Sequence, residues 1–109
     1  MADRIPDEAL VVRGGRNGPI DILRGTATHP SGVTGFSVEC AEGSSVDELA
    51  KSIPHSQLGV TTVGAVRASG GDVVRTSGRS LSHATVTGLT LAEASRLLTP
   101  TVPNSAMKP

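Results

Sequence analysis

The sequence predicts a single α+β domain with a compact, mainly antiparallel or split sheet and two or three short helices. Three observations lead there. The chain has 109 residues, the size of one domain. Short apolar runs interleave with helical patterns too brief to cover both faces of a parallel sheet. Phe36 is the only aromatic residue and hydrophobic residues make up 37%, so the core must be aliphatic. The domain is expected over residues 1–100, with 101–109, "TVPNSAMKP", as a flexible C-terminal tail.

The first strand is expected near 9–13, "ALVVR", followed by the glycine-rich loop "GGRNG". In "PIDIL" (19–23), Ile20 and Ile22 alternate with Asp21 as in a short strand, and 24–32 reads as loop. "VTGFSVEC" (33–40) is the next strand, with Phe36 and Val38 on one side and Gly35, Ser37 and Glu39 on the other. "SSVDELAKSIP" (44–54) is a helix whose Ser45 and Glu48 have capping-box spacing. "QLGV" is a brief strand, and 61–71 gives helical turns with Val63 and Val66 inward and Gly70 as terminator. "DVVRTSG" and "SHATVTG" form two strands, near 72–76 and 82–87. The last helix lies near 90–98, opened by a second capping box, Thr90 and Glu93. Val12, Phe36, Val38, Leu49, Val74, Val86, Leu91 and Leu98 are the expected core.

Ten basic and ten acidic side chains give no net charge, which disfavours general nucleic-acid binding, as does the lack of stacking aromatics. Arg13, Arg16 and Arg24 lie close in sequence and can make a local anion site. A lone cysteine, Cys40, excludes an intramolecular disulfide and reads as a small core residue. No apolar run is long enough for a membrane span and no signal peptide is evident, which points to a cytoplasmic site of action. Secretion by an apparatus that needs no signal peptide is compatible with that. His29, His55 and His83 lack zinc-ligand spacing, so no metal is expected.

No phosphate loop, dinucleotide fingerprint or nucleophile elbow occurs. What remains is three polar residues set in aliphatic strands: Arg13, Ser37 and His83. Arg13 is followed by Gly14 and Gly15, which free the backbone for close approach, and Gly35 does the same beside Ser37. Arg13 alone reads equally as a snorkelling strand-edge arginine, Ser37 as a solvated serine and His83 as a packed one. Together they matter only if the strands converge.

The order "VVRGG … GVTGFSVEC … GGDVVRT … SHATVTGLTLAEASRLL" resembles small type VI secretion-type toxin effectors with a reduced ADP-ribosyltransferase-like fold. The resemblance covers about residues 9–98 and rests on short motifs. It implies an ADP-ribosyltransferase-like toxin that uses NAD to modify a cellular target, with a cognate antitoxin or immunity protein as partner. It also implies that Arg13, Gly14, Gly15 and Ser37 bind NAD, and that His83 and Ser37 serve catalysis. The sequence departs from the family in one respect: neither late strand carries a Glu. Asp72 and Glu93 flank those strands, while Glu39 and Glu42 follow Ser37. The alternatives are a non-enzymatic interaction module, an immunity-type protein that keeps the fold, or an enzyme of phosphotransfer to or from a nucleotide.

Overall fold

A computed structural model describes residues 4–78 and 80–107. The elements run β1 (Leu10–Gly14), α1 (Pro19–Gly25), β2 (Thr26–Thr28), β3 (Thr34–Ala41), α2 (Val46–Ala50), β4 (Gln57–Thr62), α3 (Val63–Ala68), β5 (Asp72–Arg75), β6 (His83–Thr87), α4 (Leu91–Leu97) and β7 (Val102–Pro103). All strands join one antiparallel sheet in the order β5-β6-β3-β1-β4-β7, with β2 paired to β3. The α+β architecture and its mainly antiparallel sheet are therefore as the sequence predicts, with four short helices rather than two or three.

β3 organises the molecule. β6 takes one of its edges, from Phe36 to Glu39. β1 and β2 must share the other: β2 pairs with Thr34–Phe36 and β1 with Glu39–Ala41. The two leave a gap beside Ser37 and Val38, and this gap is the split in the sheet.

The alternation of side chains along β3 separates two faces. On one, Val11, Phe36, Val38, Cys40, Ala84 and Val86 meet Ile22 of α1, Val63 and Val66 of α3, and Ala94 of α4. On the other, only the five-residue α2 packs, setting Leu49 and Ala50 over Val12 and Leu58. Burying each such aliphatic side chain contributes about 1.5–3 kcal/mol. One helix covers only one end of that second face. Ser37, Glu39 and His83 occupy the uncovered remainder.

Both expected capping boxes form: the Ser45 hydroxyl accepts from the Glu48 amide while Glu48 accepts from the Ser45 amide, and Thr90 and Glu93 repeat the pattern. α3 also forms with Val63 and Val66 inward, and Gly70 ends it at φ +96°. Cys40 is fully buried, as expected, and burial raises its thiol pKa despite the opposing fields of Arg75 and Arg67.

Four expectations are corrected. Residues 19–23 belong to a helix, because Pro19 sits at its first position and Asp21 accepts a hydrogen bond from the Gly18 amide at 3.1 Å. Ile22 is buried while Ile20 is 58% exposed, so the two do not share a face. The stretch 24–32, expected as loop, contains β2. The expected tail contains β7, paired with β4, and a buried Asn104 whose amide donates to the carbonyls of Ile53 and His55. The core differs at two positions: Val73 rather than Val74 turns inward on β5, and Leu91 is only partly buried.

Candidate functional site

The open half of the second face is a cleft. Its wall on one side is the connection from α2 to β4, with Ser52, Ile53, Pro54 and His55; its floor is Gly14, Ser37 and Glu39. This part has a volume of about 210 Å³. A second chamber of about 350 Å³, lined by Gly78, Ser80 and His83, continues from it and shares Glu39 and Ser52. The larger of the two falls within the range of small-molecule sites.

Ser37 and His83 converge there. They stand on adjacent strands, and the His83 Nε2 lies 3.1 Å from the Ser37 Oγ. The other ring nitrogen, Nδ1, lies 2.9 Å from the Thr76 hydroxyl and 3.3 Å from the Thr76 carbonyl. A buried bridge between the Thr76 and Thr85 hydroxyls, 2.9 Å long, holds that threonine in place. A second histidine stands close by: the His29 ring centre is 6.1 Å from that of His83. Its Nε2 donates to the Ser77 carbonyl and its Nδ1 accepts from the Ser31 amide, which ties the β2–β3 turn to the strand β5 exit.

Glu39 faces the same cleft. It sits two residues after Ser37 and directly opposite His83 in the β3–β6 register. The hydroxyls of Ser80 and Ser82 both donate to its Oε1. Among the described residues nothing donates to its Oε2 and no cation forms a salt bridge with it. Neither late strand carries a Glu, yet serines of the connection between them orient the Glu39 carboxylate of β3.

Arg13 behaves differently from its expected role. It leaves β1 on the Phe36 side, and its guanidinium carbon lies 5.2 Å from that ring's centre. Nη1 donates to the Ser37 carbonyl at 2.9 Å and Nη2 to the Asp21 carbonyl at 3.4 Å. The arginine thus fills the split in the sheet, satisfying a carbonyl that neither β1 nor β2 reaches. Its fork is not held open for a phosphate. Burial lowers its pKa, partly offset by the field of Asp21, and Nε is buried without a partner. The charge meets no carboxylate within salt-bridge distance among the described residues.

The glycines also serve close packing. Gly14 lies in the cleft floor, and the place of its missing Cβ is taken by the Ile53 side chain and the His55 ring. Its missing side chain lets the cleft wall close onto β1. Gly15 turns the chain at φ +97°, a conformation that favours glycine. Gly35 faces the Val86 carbonyl of β6, so neighbouring backbone takes up the expected approach space.

Sequence reasoning missed Asn17, which is 1% exposed and whose amide donates to the carbonyls of Arg13 and Gly15, folding the loop after β1. It named Glu39 without assigning it a role; the alternation Gly35, Ser37, Glu39 was the signal that could have done so. Among the described residues, no group of histidines, cysteines and carboxylates could hold a metal ion, and no helix is long and apolar enough to cross a membrane. Comparison with family models, curated proteins and solved structures finds no match for this chain.

Proposed function

We propose that the cleft binds NAD and transfers its ADP-ribose to a cellular target, in the manner of a small toxin effector acting in the cytoplasm. One observation carries this reading: Ser37, Glu39 and His83 face a single cleft, with Glu39 opposite His83. NAD supplies a glycosidic bond whose cleavage releases nicotinamide and develops positive charge on the ribose. The Glu39 carboxylate, held by two serine hydroxyls, is preoriented to face that charge. Ser37 and His83 offer hydrogen bonds to a ribose hydroxyl. Arg13, which lines the cleft, contributes its uncompensated charge toward the diphosphate rather than a bidentate contact.

The purified chain incubated with NAD is expected to release nicotinamide and to melt at a higher temperature. Ligand at 100 times its Kd adds about 2.7 kcal/mol of stability. Glu39→Gln is expected to retain the melting shift and lose about 100-fold in nicotinamide release, the scale of removing one preorganised electrostatic group. Absence of both a melting shift and nicotinamide release in the unaltered chain would overturn the reading.

A second reading, a binding module for a partner such as an immunity protein, is favoured by α1. There Ile20 is 58% and Leu23 is 53% exposed, and their spacing sets them on one side of the helix. Growth arrest on cytoplasmic expression of the chain alone, abolished by Glu39→Gln, supports the enzyme. Arrest that persists in Glu39→Gln but is lost on Ile20→Ser/Leu23→Ser supports the module.

A further inference from the structure

We infer that Ser37 is a nucleophile activated by His83, and that the cleft accepts the acyl group of small activated esters. The tautomer of His83 decides the chemistry. Its Nδ1 lies near both the hydroxyl and the carbonyl of Thr76, and a carbonyl only accepts. We assign the proton to Nδ1, since the Thr76 carbonyl can only accept while the nearer Thr76 hydroxyl can accept or donate; Nε2 is then left with a lone pair facing the Ser37 Oγ, 3.1 Å away. This is the arrangement of a nucleophile, a general base and a group that orients the base. Thr76 is the positioning residue; it is buried, and Thr85, also buried, braces its hydroxyl. Ser37 itself is exposed at the cleft floor, so a substrate can reach it.

In the acylation step the Ser37 Oγ forms a bond to the ester carbonyl carbon and the bond from that carbon to the leaving oxygen breaks. The serine proton passes to His83 Nε2 and from there to the leaving alkoxide. Water then attacks the acyl-serine, giving its proton to His83, which returns one to Ser37 as the carboxylic acid departs. No nucleotide takes part, so this inference stands or falls separately from NAD chemistry.

The test uses the full chain, a fluorophosphonate probe and p-nitrophenyl acetate, without NAD. The probe forms an oxygen–phosphorus bond at serine and expels fluoride, which intact-mass spectrometry and peptide mapping detect. A single adduct on Ser37 is expected, absent in Ser37→Ala. The labelling rate should fall at least 10-fold in His83→Gln, whose amide reaches the same oxygen without acting as a base. Thr76→Val should slow labelling and Thr76→Ser restore it. Circular dichroism and melting curves establish that each variant is folded; if His83→Gln is not, the Thr76 pair decides. An adduct spread over several serines, or Ser37 labelling unaffected by both His83→Gln and Thr76→Val, would overturn the inference.

Discussion

Arg13 shows how one residue can be structural and electrostatic at once. A guanidinium at the split of the sheet supplies donors to the carbonyls of Ser37 and Asp21 while stacking on Phe36. Arg13→Ala removes both hydrogen bonds, which lie at exposed positions, at a cost of about 0.5–1.5 kcal/mol. Denaturant titration is expected to show that loss. Arg13→Lys should recover less than half of it, because one ammonium cannot span two carbonyls on separate elements. Equal stability of all three proteins would mean that the carbonyls find other donors. The location of this arginine at a strand end was legible in "VVRGG"; its partners were not. They depend on β1 and β2 dividing one edge of β3, which no local pattern encodes. Ser37 and His83 were easier, since each lies on a strand whose alternation assigns its face. Glu39 follows the same alternation, but its pairing with His83 needs the register.

Among the elements, the helices with capping boxes were the most legible, because the side chains that start them are three residues apart. Those boxes also make stability depend on acid. The Glu48 carboxyl is held below its usual range by the Ser45 amide and then by the Ser45 hydroxyl; Thr90 does the same for Glu93, amide first. A carboxyl depressed in the folded state binds protons more readily when unfolded. Its contribution is present above the ordinary carboxyl range and is lost as pH falls through the folded value. The melting temperature is therefore expected to fall between about pH 5 and pH 3. The gap between the native chain and Glu48→Gln/Glu93→Gln should narrow over the same window. A gap that is constant with pH would show that the carboxyl charges contribute nothing. Ser45→Ala should cost about 1 kcal/mol at neutral pH and less in acid, since it removes both the cap to the Glu48 amide and the hydroxyl that lowers the Glu48 carboxyl. α1 was misread because Ile20 and Ile22 imitate a strand over a few residues, where helix and strand periods are hard to separate. Pro19, placed at the first helical position, was the stronger signal.

For the molecule as a whole, the last residues connect stability to the cleft. β7 adds only two residues to the sheet edge, too few to announce themselves in sequence. Their effect comes through Asn104, 6% exposed, whose amide holds the Ile53 and His55 carbonyls at 3.2 and 2.8 Å. Those two residues are the wall that rests on Gly14 and closes the cleft. Asn104→Ala would leave both carbonyls without this donor and is expected to cost about 1–3 kcal/mol. If the wall shapes the site, the same change should weaken NAD-dependent stabilisation beyond what the lower melting temperature alone accounts for. Gly14→Ala acts on the wall from the opposite side and should give the same pair of effects, because the added methyl must displace Ile53 or His55. Calorimetric titration of NAD at a temperature where all three proteins are fully folded separates binding from stability. Weaker binding by both variants would establish that the C-terminal residues hold the cleft in shape. Unchanged affinity with a lowered melting temperature would make Asn104 a clamp on the fold alone.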